Sequence, residues 1–485
     1  MIDSRRRAPA ALPSLPDHNQ DRPFPSRVTE PSLAARIGLF DAIMIVMGGI
    51  VGSGIFINPY VVATLLHTRA LILAAWAAGG AIALLGAFVY AELAARMPKV
   101  GGQYAYLREA IHPLVGFLFG WAYLLVIGAG GTAAVAVTCS KYLRHLVQLQ
   151  IPENVWSVGV VATLVVLNCL GVQVGSRVQS FFMLLRILAI ALLAAGGAWL
   201  WMHPSSAPSA TAPPVPEQYS SLALLSIFGA ALIPVIFAYG GWESANFIAA
   251  EIRDPRKNLP RALVLGILGV LGLYLSINLI YVQILSPSGL AATDTPASAV
   301  AGRVFGPWGA QLIAAAIVIS TVGFLSQAML AYPRLYFAMA GDAGLPSLFA
   351  RVSARSRVPV AAIILQGCVT LTVVLLGTYE DILSYVIVLD SLFFCLTAVC
   401  LFVFRARDRR NSDAGAMLAT GFRVPGHSWT SGIFILATGF IVLNTIYKYP
   451  RNAGIALCIL FAGVPFYFLM RGRARRPSAP NPRPS

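Results

Sequence analysis

The chain has 485 residues, 58% hydrophobic and only 11% charged, against roughly a quarter charged in a soluble globular domain. That balance excludes an ordinary water-soluble enzyme. The net charge of +16 does not indicate nucleic acid, because the basic residues cluster between and beyond apolar runs, as cytoplasmic loops do.

Residues 1–36 are rich in Pro, Ser and Arg without an apolar period, and read as a disordered cytoplasmic tail with no secretory signal. Twelve apolar runs follow, at 37–66, 70–96, 113–143, 155–171, 178–201, 223–250, 259–285, 308–335, 358–377, 381–404, 430–447 and 452–470. Each approaches the ~20 apolar residues of a membrane helix. Segment by segment, helices one to five occupy 37–201, a Pro/Ala/Ser-rich external loop 202–222, and helices six to ten 223–405. A loop with two further helices takes 406–470, and a basic tail 471–485. With both termini inside, 27 Lys and Arg residues fall on cytoplasmic segments and six on external ones. That asymmetry is the one expected of a bacterial inner-membrane protein with cytoplasmic termini. The six cysteines (Cys139, Cys169, Cys368, Cys395, Cys400 and Cys458) form no CxxC pair, so neither a disulfide framework nor a zinc site is indicated. No cofactor motif is present.

The first run contains Gly48–Phe56, GGIVGSGIF. Each interior glycine costs a helix roughly 1 kcal/mol against alanine. Irregular backbone at membrane depth is tolerated where protein shields it or where it lines a cavity. The sixth run reads FGAALIPVIFAYGGWESANFIAAEIRDPRKNLP, in which Pro234 and Gly240–Gly241 break a second helix just before Trp242 and Glu243. Breaks in the first and sixth runs hold corresponding places in two five-helix halves. An odd number of helices per half inverts the second half, and in such repeats the binding site lies where the broken helices meet. At the first break, N–H groups of Gly52, Ser53 and Gly54 open a half-helix whose positive end favours an anion. Carbonyls of Ile50, Phe237, Ala238 and Gly240 can accept from an ammonium group. A ligand carrying both groups a short distance apart is an α-amino acid. The plain alternative is that the glycines let helices pack closely.

These stretches, with PKVGGQYAYLREAIHPLVGFLFGW from Pro98 to Trp121 and RLYFAMAGDAGLP from Arg334 to Pro346, resemble the amino acid–polyamine–organocation superfamily. EIRDPRKNLPRAL, ending at Leu263, resembles its L-type amino acid transporter branch. The resemblance covers roughly residues 37–405. It implies an all-α, LeuT-like membrane protein of twelve transmembrane helices, a 5+5 inverted repeat plus two C-terminal helices, moving amino acids by alternating access. It places the substrate carboxylate on Gly52, Ser53 and Gly54 and the amine on the carbonyls of Ile50, Phe237, Ala238 and Gly240, with the Phe237 ring as gate.

Two positions depart from the branch. Seven residues after Val178–Gln179 stands Arg186, where the branch usually carries a lysine and sodium-coupled relatives bind an ion. Its permanent charge and planar fork are expected to replace that ion and tether helix one to helix eight; snorkelling to the cytoplasmic surface is the plainer role. Glu243 stands where the branch commonly has an amide. A carboxylate inside the membrane is functional by default, so Glu243 is expected to sense or carry a proton, against a plain hydrogen bond between helices.

Ser320, Thr321 and Ser326 are candidates to line the pocket, although hydroxyls commonly bond their own helix. Tyr90, Glu92, Trp121 and Tyr123 read as packing residues. Glu251, Arg253, Asp254, Arg256 and Lys257 form a charged loop that either gates the inner mouth or is simply solvated. The external loop from Lys141 to Trp156 lacks the cysteine that joins heteromeric members to a glycoprotein partner, so no disulfide-linked heavy subunit is expected. Expected partners are the amino acid and the lipid bilayer, without nucleic acid, and a homo-oligomer remains open. The function read here is a neutral or broad-range L-amino acid exchanger or proton-linked permease. The alternative is a polyamine or cationic amino acid antiporter. A membrane enzyme lacks any nucleophile or metal cluster, a channel lacks charge or carbonyl rings, and a non-transporting sensor lacks a signalling domain.

Overall fold

A computed structural model describes residues 37–97, 101–147, 151–171, 176–203, 220–342, 344–353, 356, 358–410 and 421–474. The expected N-terminal tail, most of the 202–222 loop, Pro98–Val100 of the second motif and the chain from 475 onward lie outside the described residues.

The first apolar run forms two helices, α1 (Leu39–Ile50) and α2 (Gly54–Leu65). Next come α3 (Arg69–Arg96), a short α4 (Gln103–Ala110), and α5 (Pro113–Ala122), which passes through one π turn at Tyr123–Ile127 into α6 (Gly128–Val147). α7 (Glu153–Cys169) and α8 (Ser176–Met202) complete the first half. The sixth run forms α9 (Ser221–Tyr239) and a 3-10 segment, Trp242–Glu251. α10 (Pro255–Ile284), α11 (Ser286–Ala291), α12 (Pro296–Gly341), α13 (Val360–Leu376), α14 (Tyr379–Arg410), α15 (His427–Lys448) and α16 (Pro450–Ala474) follow.

Among the described residues there is no strand, only one isolated bridge between Ile37 and Ile252. Ten segments of the described residues are long and apolar enough to cross a membrane, counting α1–α2, α5–α6 and α9 with its 3-10 segment once each. α7 and α13 are also apolar but only 17 residues long, at the lower end of what spans a bilayer. The protein is an integral membrane protein.

Burial ranks the spans. The most apolar window of α1–α2 is 83% buried, that of α16 only 28%. α1 packs between α8, α10 and the 3-10 segment, α2 against α9, and α12 along α6 and α8. The periphery exposes large apolar side chains such as Trp199, Leu436, Leu443 and Leu469, as a surface facing lipid would. A helix hydrophobic all round and buried at the centre of the bundle is therefore the one that carries the break.

Pro234 does not break its helix: it lies inside α9, and the interruption falls at Gly240–Gly241. Proline removes one N–H but keeps its own carbonyl, and that carbonyl accepts the Asn58 side-chain amide at 2.6 Å. α12 extends further toward its N-terminus than the apolar run, turning at Gly306, which has φ +75°.

Candidate functional site

At the C-terminal end of α1 the backbone makes a tight turn. Val51 has φ −75° and ψ 75°, the inverse γ conformation, and the Gly52 N–H donates to the Ile50 carbonyl at 2.7 Å. Gly52 is thus already bonded, and the free donors shift along the chain. The N–H groups of Ser53, Gly54 and Ile55 find no acceptor among the described residues. They sit at the first turn of α2, where a helix leaves its donors unpaired and presents its positive end.

The orphan carbonyls of α1 are taken up from two sides. Arg186, buried on α8, donates to the carbonyls of Gly48 (3.4 Å) and Val51 (3.1 Å), and to Ser320 of α12. A guanidinium thus stands at the negative end of α1 and links α1 to α12. The Tyr274 hydroxyl of α10 reaches both the Ile50 and Ala238 carbonyls at 3.2 Å. It spans the two breaks through two of the four predicted amine acceptors.

The second break crosses the first at backbone distance. Gly241 has φ +97°, a left-handed conformation that glycine adopts freely. A methyl group there would sit 2.1 Å from the Gly49 carbonyl oxygen. Likewise a methyl group on Gly54 would lie 2.5 Å from the Ala238 Cα. Beyond the turn, the Gly241 N–H donates to the Glu243 carboxylate at 3.0 Å, and Ser244 Oγ donates to the Gly241 carbonyl at 2.6 Å. Glu243 thus caps its own segment, as an acidic residue near a helix start does. Trp242 stacks on Phe394 of α14 with centroids 5.4 Å apart and meets Tyr90 edge-on at 4.7 Å, which fixes the register of the segment.

A cavity of about 50 Å³ lies between the breaks, room for a few water molecules. Of the residues singled out in the sequence, Ile50, Gly52, Ser53, Gly54, Phe237, Gly240 and Glu243 line it. Ala238 packs behind Gly54, and Arg186 is not among the lining residues. Ser320, Thr321 and Ser326 do not line it. Thr321 bonds the Ile317 and Val318 carbonyls of its own helix, and α12 contributes Phe324 instead.

Sequence reasoning missed Asp390, which lines the cavity from α14, and Tyr274. Asp390 was legible as an acid within an apolar run; nothing near Tyr274 distinguishes it from a packing tyrosine.

In the charged loop Arg253, Asp254, Arg256 and Lys257 are exposed, and Glu251 alone makes an ion pair among the described residues. Glu251 pairs with Arg334 of α12 at 3.0 Å. Ile37 donates to the Glu251 carbonyl, and Arg253 donates to that of Ile37. Asp342, after α12, pairs with Arg108 of α4. That carboxylate and the neighbouring Tyr104 and Glu109 raise the Arg108 pKa above its ordinary value, against the lowering effect of partial burial.

A family model described as amino acid permease matches residues 37–467. The large neutral amino acids transporter small subunit 2 of Mus musculus is 30% identical over 450 residues, 90% of this chain and 81% of the relative. The serine/threonine exchanger SteT of Bacillus subtilis is 29% identical over 453 residues, 91% of this chain and 98% of the relative. The human Asc-type amino acid transporter 1 is 29% identical over 453 residues, 90% and 82% of the two chains. With the match running across both breaks and nearly all described helices, the chain belongs to the amino acid permease family.

Proposed function

We propose that the protein exchanges L-amino acids, neutral or of broad range, across a bacterial inner membrane by alternating access. The observation that carries this is the meeting of free N–H groups at the start of α2 with the carbonyl ends of α1 and α9, beside one cavity lined by Ile50, Ser53, Gly54, Phe237 and Gly240. The N–H groups suit the substrate carboxylate. The carbonyls of Ile50, Phe237, Ala238 and Gly240 suit its ammonium: the Tyr274 hydroxyl yields at Ile50 and Ala238, and second lone pairs serve at Ile50 and Phe237, which also accept the Gly52 and Gly240 N–H groups. The names of the relatives favour this over a polyamine or cationic substrate.

The cavity holds a few waters, less than an amino acid fills, so loading requires side chains to move. Phe237 and Phe324, both facing it, are the two large ones. Phe237 is the proposed gate. The twelve apolar helices are read as two inverted sets of five plus α15 and α16, with cytoplasmic termini, in the domain order given above. This reading assigns no catalytic step, and no disulfide-linked subunit, since residues 141–156 contain no cysteine. Arg186 stands where a coupling ion would bridge α1 and α12, so transport is sodium-independent.

Purified protein in liposomes, preloaded with single amino acids and challenged with labelled L-serine, L-leucine or L-lysine, tests this reading. Accumulation of serine or leucine that depends on a neutral internal amino acid is expected. Label uptake indifferent to internal amino acid defeats exchange, and collapse of uptake on sodium withdrawal defeats the role given to Arg186.

A further inference from the structure

We propose that Asp390 pairs with Glu243 to hold one proton in the closed cavity, and that a neutral amino acid is exchanged only in this singly protonated state. The inference rests on the neutral-exchange reading above and adds a second carboxyl and a proton to it.

Glu243 comes from the 3-10 segment and Asp390 from the middle of α14, and both line the same cavity. They are 3% and 5% exposed. Glu243 Oε2 accepts from the Gly241 N–H. Asp390 Oδ1 is buried and has no hydrogen-bond partner among the described residues, although its residue lines the cavity. Glu243 is the charged group that acts on Asp390. The phenols of Tyr90 from α3, Tyr123 from the π turn and Tyr332 from α12 lie within electrostatic reach of both. α4, α6, α9, α15 and α16, also packed on α14, bring no titratable group that acts on either carboxyl. Arg186, the buried cation near the breaks, directs its two terminal nitrogens at the carbonyls of Gly48, Val51 and Ser320 and pairs with neither carboxyl.

A neutral amino acid brings one carboxylate and one ammonium. Those charges are met by the N–H groups of α2 and the carbonyls of the breaks. Among the described residues no ion pair reaches either carboxylate, and two like charges closed off from water cannot both stay ionised. They titrate as a pair, in two steps. A proton therefore enters from the side to which the cavity is open and forms one O–H bond on a carboxylate oxygen. It remains through closure and leaves to water when the cavity opens on the other side. In one-for-one exchange it crosses with each amino acid in both directions, so net proton flux is zero while the rate follows pH.

The test is exchange of labelled L-serine and L-leucine in proteoliposomes with equal pH on both sides. Above the upper step of the pair, closure requires uptake of a proton, so the rate falls toward about tenfold per pH unit. The full-length protein should lose about tenfold or more between roughly pH 6 and pH 8.5. Asp390→Asn should lose less than about twofold over that range, and Asp390→Glu should keep the steep profile. A wild-type profile that is flat, or Asp390→Asn with the wild-type slope, overturns the pair. If Asp390→Asn does not fold, a pH dye in weakly buffered detergent decides on the wild type alone. Leucine binding at alkaline pH should take up about one proton per site, and no uptake overturns the proposal. L-lysine exchange that Asp390→Asn abolishes would give the carboxyls to a cationic side chain and also overturn it. Absence of neutral amino acid exchange at every pH defeats the functional reading itself, whereas vigorous exchange indifferent to pH defeats only the proton pair.

Discussion

Gly241 joins two demands at one residue: a φ of +97° and a Gly49 carbonyl where a side chain would begin. Alanine there adds left-handed strain to a backbone clash, each on the order of 1–3 kcal/mol. Gly241→Ala should lose exchange and lower the apparent melting temperature in detergent. A melt within a degree or two of wild type would mean the two breaks do not cross as described. Arg186 makes the complementary case. Methionine in its place leaves three carbonyls on α1 and α12 without their donor, each costing about 1–3 kcal/mol when buried. Arg186→Met should abolish exchange and lower the melt, whereas Arg186→Lys restores a charge without the fork and should recover part of each. Equal loss in both variants would indicate that the forked geometry, rather than the charge, holds the tether.

Elements were legible in proportion to how local their causes are. The break in the first run was readable because four glycines fall within seven residues, and the structure puts it between Ile50 and Gly54. Pro234 misled because proline speaks for one missing donor, and a helix with a partner for the freed groups continues through it. α4 was not predicted, since its eight residues are polar on average and form no apolar run, although most of them are buried. The site was legible where it is built of backbone. Its side-chain completions, Tyr274 and Asp390, come from α10 and α14, and their meeting with the breaks depends on tertiary packing. The Glu251–Arg334 pair is the same kind of contact. It ties the end of the 3-10 segment to α12, and both side chains are about 20% exposed. Such a pair contributes roughly 1 kcal/mol or less. If it belongs to the inner gate, Glu251→Gln should shift the closed-to-open balance by up to about fivefold, since the shift equals the differential free energy. Amide hydrogen exchange around Ile37 and Ile252 should quicken while α13 stays unchanged. Quickening spread evenly over the chain would indicate general loosening instead.

Across the whole molecule, the moving parts need something fixed to move against. Glu92 supplies a candidate. It is 1% exposed, it accepts from Arg96 one turn along α3 at 2.7 Å, and it pairs with Arg405 of α14. Its second oxygen also accepts the Val424 N–H ahead of α15 at 2.7 Å, and Arg96 goes on to Asp408. One carboxylate therefore joins α3, α14 and the approach to α15, away from both breaks. Buried charges so paired contribute little net stability, but removing one partner strands the others at a cost of about 3–5 kcal/mol. Glu92→Gln should therefore lower the apparent melting temperature more than Glu251→Gln does, and should quicken amide hydrogen exchange along α3 and α14 together. Because the cavity is built by other residues, leucine should still raise the melting temperature of whatever Glu92→Gln protein folds. A variant that melts normally but no longer responds to leucine would place Glu92 in the transport cycle rather than in the frame that supports it.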